Sequence, residues 1–194
     1  EYYAFDGSNQ ESQKLIIGNV SRIHPAKCLE DFIKIAKLIS KEITAEFWII
    51  GNIQDEKYYE RLKALIIEEN LGDVVKFLGH VVKADLIYSK LDLMIHTADA
   101  EPFGMVYYEA ALAKVPVIAN RPGGFEDIAI NGEDLLFYQF GDVSEAAKLA
   151  VELLNNKDLQ AKLTDNFYSK VISQHSALCY QQNLEQIYLE LLAK

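Results

Sequence analysis

The sequence predicts an α/β fold, a three-layer sandwich in which a six-stranded parallel sheet is covered by helices on both faces. Three observations carry this. Six short apolar runs, at 14–20, 46–50, 74–78, 91–95, 115–119 and 135–138, have the length of buried strands, and most lack the apolar/polar alternation of a sheet with one wet face. Between and after them lie stretches with helical spacing of apolar residues, and strands alternating with helices call for right-handed crossovers and a parallel sheet. Finally, 194 residues of which 50% are hydrophobic suffice for one sizeable core and argue against disorder.

Each element has a local reason. Residues 1–13 are polar and carry Gly7, Ser8 and Asn9, the composition of a linker. The first strand ends near Val20, and Pro25 breaks the turn that follows. A helix over 29–41 shows an apolar face at Leu29, Phe32, Ile33, Ala36, Leu38 and Ile39. Gly51 closes the second strand, and the helix over 55–69 stops at Asn70. The third strand is followed by a short helix at 83–89 and the fourth by a helix at 104–113, placed by Pro102, which is tolerated only in a first turn. Gly123-Gly124 opens a short helix before the last strand. Helices over 143–154, 159–171 and 176–192 have no strand left to cross to, so they are expected to pack outside the sheet or bridge to another domain.

Composition excludes several classes. A net charge of −10 argues against a generic nucleic-acid or anionic-membrane surface, so an anion site would have to be built locally from amides and a few cations. Two cysteines, Cys28 and Cys179, give neither a disulfide framework nor zinc spacing, and a reducing, cytoplasmic setting is expected. No apolar run reaches the roughly 18 residues of a membrane span. The chain opens on Glu1, and it is read as a segment of a longer protein.

In an open parallel sheet, ligands gather beyond the carboxyl ends of the strands, so the strand-to-helix turns are where chemistry belongs. The turn after the first strand holds Arg22 and Lys27, a planar fork and a point charge suited to a diphosphate; two solvated surface charges are the alternative. After the third strand, Gly79 lets the chain bend so that backbone groups of His80 or Val81 could meet a flat ring; a plain strand-ending glycine is the alternative. The fourth turn carries Glu101-Pro102-Phe103-Gly104-Met105-Val106-Tyr107-Tyr108-Glu109. Here the amides of Phe103, Gly104 and Met105 point out of a helix N-terminus, where an anion is favoured, with one carboxylate in the turn and one on the helix. The alternative is a carboxylate complementing the helix dipole and a second on the surface. His24, His80, His96 and His175 do not cluster, and none receives a metal or catalytic role. Asp99 and Glu101 are too few for a metal site. Neither a dinucleotide fingerprint nor a P-loop is present.

Taken in order, Arg22-x4-Lys27, Gly51-Asn52, Phe77-Leu78-Gly79-His80-Val81, Glu101-Pro102-Phe103-Gly104-x4-Glu109-Ala110, Pro116-Val117-Ile118-Ala119 and Gly123-Gly124-Phe125-Glu126-Asp127 resemble glycosyltransferase family 4. The likeness spans about 14–142 and is to the C-terminal, Rossmann-like donor domain of the two-domain GT-B fold. It implies that Arg22, Lys27 and Glu101 are catalytic: the two cations hold the diphosphate of a nucleotide sugar and Glu101 the hydroxyls of the transferred sugar. Glu109 would bind the ribose, Phe103, Gly104 and Met105 the sugar and phosphate through their amides, and the backbone at His80 and Val81 the base. Family members retain anomeric configuration and usually need no metal, so no cofactor is expected. Three positions depart from the family's habit: Cys28 and Ser21 stand where glycine is common, and Asn131-Gly132-Glu133-Asp134 lacks the usual Thr-Gly pair.

The resemblance therefore implies the donor-binding half of a retaining hexosyltransferase, with a linker at 1–13, a donor domain at 14–172 and a C-terminal helix at 173–194. Its partners would be a nucleotide sugar, a glycan or lipid acceptor, and a missing N-terminal acceptor domain, the place where any peripheral membrane association would arise. Without that domain little transfer is expected. Another GT-B enzyme, an epimerase or a phosphorylase, and a non-catalytic binding module on the same scaffold are the alternatives.

Overall fold

A computed structural model of the protein describes residues 14–99, 101, 103–120 and 129–192. Six strands form one sheet: β1 (Leu15–Val20), β2 (Ala45–Ile50), β3 (Val75–Gly79), β4 (Leu93–His96), β5 (Val117–Asn120) and β6 (Leu136–Tyr138). All neighbouring pairs are parallel, and the order across the sheet is β3-β2-β1-β4-β5-β6. The chain therefore builds outward from β1 in one direction, then returns to its other side with β4. Between β1 and β4 the connections leave in opposite directions, which opens a crevice at their carboxyl ends.

Seven helices accompany the sheet among the described residues: α1 (Leu29–Ile39), α2 (Glu56–Glu68), α3 (Ala84–Tyr88), α4 (Met105–Leu112), α5 (Val143–Leu154), α6 (Lys157–Gln174) and α7 (Ala177–Leu192). The period-two pleat sends alternate strand residues to opposite faces, and both faces are buried. On one side Ile17, Phe47, Ile49, Leu93 and Ile95 meet Phe32 and Ile33 of α1, Leu62 of α2 and Ala146, Ala150 and Leu153 of α5. On the other, Trp48, Ile50, Met94, Val117 and Phe137 meet Tyr88 of α3, Tyr107 and Ala110 of α4 and Phe167 and Val171 of α6. Each such fully buried aliphatic or aromatic side chain contributes about 1.5–3 kcal/mol. The expected three-layer α/β sandwich is therefore the observed one.

Two sequence expectations change. The helix expected over 104–113 begins at Met105, because Gly104 lies in the left-handed region (φ 61, ψ 29) and serves as the N-cap instead of a first helical residue. The helices expected at 143–154 and 159–171 do not lie outside the sandwich: α5 packs on α1 with Ala146, Ala150 and Leu153 fully buried, and α6, at Lys157–Gln174, sends Phe167 and Val171 into the second core. Small alanines let α5 sit close to its neighbour. By contrast, α7 has no buried residue and keeps Leu178, Tyr180, Leu189 and Leu192 exposed. No helix among the described residues is long and apolar enough to cross a membrane. The expected linker at 1–13 and the Gly123-Gly124 turn lie outside the described residues.

Candidate functional site at the β1/β4 crevice

The crevice is held open by polar side chains that interrupt otherwise apolar strands. Asn19, fully buried in β1, donates from Nδ2 to the Ile95 carbonyl at 2.9 Å and to Thr97 Oγ1 at 3.2 Å, and its Oδ1 accepts from Ser21 Oγ at 2.8 Å. Thr97 Oγ1 in turn donates to the Lys27 carbonyl at 2.8 Å. Asn120, at the end of β5, donates to the carbonyls of Thr97 (3.3 Å) and Ala98 (2.5 Å). These donors fix three strand ends relative to one another, while Asn120 Oδ1 is buried with no hydrogen bond among the described residues.

Lys27 is carried into this frame by the 3₁₀ turn Pro25–Lys27, which His24 caps by accepting from the Ala26 amide. The Asp99 amide donates to the Ala26 carbonyl at 3.1 Å, so the turn after β1 is tied to the turn after β4. Across that seam Lys27 Nζ lies 2.6 Å from Glu101 Oε2, an ion pair with side chains only 11% and 14% exposed. His96 Nε2 faces the same oxygen at 3.4 Å, and His96 Nδ1 lies 3.0 Å from the Tyr107 hydroxyl. Both contacts of Glu101 fall on Oε2; Oε1 has no hydrogen bond among the described residues.

The electrostatics follow from these contacts. His96 and then Lys27 hold the Glu101 carboxyl down to about 2 from an ordinary 4.5, against the opposing effect of burial. Burial keeps the His96 imidazole below its usual 6.5, outweighing the pull of the Glu101 carboxylate, so the ring is neutral near pH 7. The site is thus an anchored carboxylate and an ammonium, side by side. An ammonium has three donors, and among the described residues Glu101 takes one of them, which leaves two for other acceptors.

The other acidic residue, Glu109, lies on α4 and accepts from the Tyr88 hydroxyl of α3 at 2.9 Å. Burial and the neighbouring Glu109 charge both push the Tyr88 phenol up, so it stays a donor. At the start of the same helix Gly104 is buried, whereas Phe103 and Met105 are 79% and 60% exposed. Its N-cap, Gly104, has no side chain to offer, and among the described residues the amides of Phe103, Gly104 and Met105 donate to no acceptor. Pro102, between them and Glu101, lies outside the described residues.

The structure thus brings Lys27 and Glu101 into contact and sets Glu109 on the helix that starts beside them. Arg22 lies at the same rim, next to Ser21, but is exposed and pairs with no carboxylate among the described residues. His80 and Val81 lie where β3 ends, one strand beyond β2; His80 is exposed, and Val81 packs against the second core. The Gly51 amide bonds the Gly79 carbonyl at 2.9 Å and the Ser21 amide the Ile50 carbonyl at 2.9 Å, so the three strand ends form one continuous rim. Among the described residues no three metal-ligating side chains gather. Sequence reasoning gave no role to His96, Tyr107, Tyr88, Asn19, Thr97 or Asn120. The available signal was a polar residue placed within or directly after an apolar strand run, as at Asn19, His96-Thr97 and Asn120.

Comparison with known proteins agrees with this geometry. A family model described as glycosyl transferases group 1 matches residues 4–170. The chain is 26% identical over 182 residues to the N-acetyl-alpha-D-glucosaminyl L-malate synthase of Bacillus anthracis, covering 94% of this chain and 47% of that protein. It superposes on Anabaena HepE, solved in complex with UDP and glucose, with a TM-score of 0.80 and 25% identity, covering 91% of this chain and 48% of that one. It also superposes on the C-terminal domain of a group 1 glycosyl transferase, LpcC, from Francisella tularensis, with a TM-score of 0.76 and 22% identity, covering 84% of this chain and 87% of that domain. The chain spans about half the length of the curated relatives it matches. Since the family model covers most of the chain, the protein belongs to the glycosyl transferases group 1 family.

Proposed function

We propose that this chain is the donor-binding half of a retaining glycosyltransferase of family 4. The whole enzyme would transfer a hexose from a nucleotide diphosphate sugar to a glycan or lipid acceptor. The observation that carries this reading is the Lys27–Glu101 pair, 2.6 Å apart at the crevice between β1 and β4. There one group suits a phosphate and the other a sugar hydroxyl. The UDP and glucose bound by Anabaena HepE support the ligand class, and the likeness to the LpcC domain supports the division into halves.

The chemistry follows from charge. As the glycosidic C–O bond breaks, negative charge grows on the diphosphate. Lys27 and Arg22 and the amides of Phe103, Gly104 and Met105 stabilise it there, as preorganised donors aimed at a developing anion. Glu101 orients the sugar through its hydroxyls, Glu109 binds the ribose, and the backbone at His80 and Val81 meets the base. In this reading no metal is needed. The acceptor site and the groups on its side of the cleft belong to the other half.

Calorimetric titration of the chain with UDP, GDP and ADP tests the site. One diphosphate binds, and Lys27→Ala and Glu109→Ala each weaken it by about 1–3 kcal/mol, the range for charge-assisted hydrogen bonds. Thermal melting checks that each variant is folded. A folded chain that binds none of the three, or wild-type affinity in both variants, overturns the assignment.

A further inference from the structure

The structure assigns His96 a positioning role: held between the Tyr107 hydroxyl and the Glu101 carboxylate, it donates from Nε2 to Glu101 and fixes which carboxylate oxygen is turned to the sugar. This inference rests on the sugar-binding role proposed for Glu101 and deepens it.

The argument begins with burial. His96 is 1% exposed and Tyr107 fully buried, so neither can turn to water for a partner. A neutral imidazole has one N–H and one bare nitrogen, and whichever group faces the bare nitrogen must donate. The Tyr107 hydroxyl, 3.0 Å from Nδ1, carries a proton that burial first, and then the charge of Glu101, make hard to lose. A hydroxyl that keeps its proton can donate or accept, so the Glu101 carboxylate decides: it only accepts and it faces Nε2, which places the ring proton on Nε2 and leaves Nδ1 to accept from Tyr107. Nε2 has no polar neighbour within hydrogen-bond geometry among the described residues, and the atom it faces is Glu101 Oε2, at 3.4 Å. A small closing movement makes this a charge-assisted bond.

Two donors, Lys27 Nζ and His96 Nε2, then converge on one oxygen from the β1 and β4 sides. The carboxylate cannot rotate without losing both, so Oε1 is held in a fixed direction. Lys27 alone would not do this, since an ammonium on a four-carbon stem can follow a phosphate and carry the carboxylate with it. His96, fixed on a strand end and wedged edge-on against the Tyr107 ring with centroids 5.0 Å apart, cannot follow.

Two measurements on the 194-residue chain test this. Long-range ¹H–¹⁵N spectra of ring-labelled protein at pH 7, with the His96 signals identified by their loss in His96→Asn, should show a neutral Nε2–H tautomer. An Nδ1–H or doubly protonated His96 in the wild type overturns the assignment. Next, affinities for UDP and UDP-glucose are compared in wild type, His96→Asn and Tyr107→Phe. Both variants should lose at least about fivefold in the UDP-glucose to UDP affinity ratio, while UDP binding stays within about twofold. Equal losses for both ligands mark a merely structural effect and overturn the role, as does an unchanged ratio. If the wild type binds UDP but glucose adds nothing, the sugar role of Glu101 fails. If it binds none of UDP, GDP and ADP, the proposed function fails, while the tautomer still decides the His96–Glu101 contact.

Discussion

Cys28 holds a left-handed backbone conformation, φ 47 and ψ 46, between the turn that carries Lys27 and the first turn of α1. A side chain with a Cβ is disfavoured there by about 1–2 kcal/mol, and that is the physical content of the glycine the family usually places at this position. The thiol offers little in return: burial raises its pKa against the opposing effect of the Asp99 backbone, and it reaches the Pro25 carbonyl only across 3.7 Å. Cys28→Gly should raise stability by about 0.5–1 kcal/mol, after allowance for the greater chain entropy of glycine when unfolded. Urea denaturation measures it; a loss of stability would show that thiol packing outweighs backbone strain. At this scale the sequence was informative about charge and silent about burial. Lys27 and Glu101 stand out because cations and carboxylates at strand ends are chemically conspicuous. His96 does not, because its meaning depends on Tyr107 being one helical stretch away and turned toward it.

Among the elements, α1 and α2 show how packing decides what a helix end needs. The Leu29 amide, one of the unpaired donors at the start of α1, is fully buried and donates to the Tyr58 hydroxyl of α2 at 2.7 Å, while that hydroxyl donates to Glu30. One phenol therefore satisfies two groups of a neighbouring helix. Tyr58→Phe leaves the buried amide without an acceptor and should cost about 1–2 kcal/mol of unfolding free energy. Chemical denaturation of the variant checks this, and a change below about 0.5 kcal/mol would mean that water reaches the amide. Element identity was legible from periodicity: 143–154 was read to the residue, and the six strands shifted by no more than two residues at either end. The N-terminus of α4 was misplaced because a left-handed Gly104 and a helical glycine read alike in sequence.

For the molecule as a whole, the coupled carboxylate and imidazole predict acid sensitivity. Glu101 has its folded pKa depressed to about 2 from 4.5, so its contribution is present above 4.5 and lost as pH falls toward 2. His96 is also depressed, by burial, so the unfolded chain gains a proton first and stability begins to fall below about 6.5. Discounted for partial solvent screening, the Glu101 contribution is on the order of 1–2 kcal/mol. Denaturation as a function of pH should show a decline between 4.5 and 2 that is shallower in Glu101→Gln; identical slopes would mean that the pair does not stabilise the fold.

The sequence by itself determined that this is an α/β sandwich, where its strands and most of its helices lie, and which charged turns carry the family resemblance. These are local properties, since apolar periodicity and turn chemistry act within a few residues. Only the tertiary structure decided the strand order β3-β2-β1-β4-β5-β6, which puts β4 beside β1. That adjacency brings Lys27 to Glu101 across 74 residues of chain and seats His96 and Tyr107 beneath the pair. Periodicity reports that a strand is buried but not which strand it lies beside; the partner is settled by how all the layers pack at once.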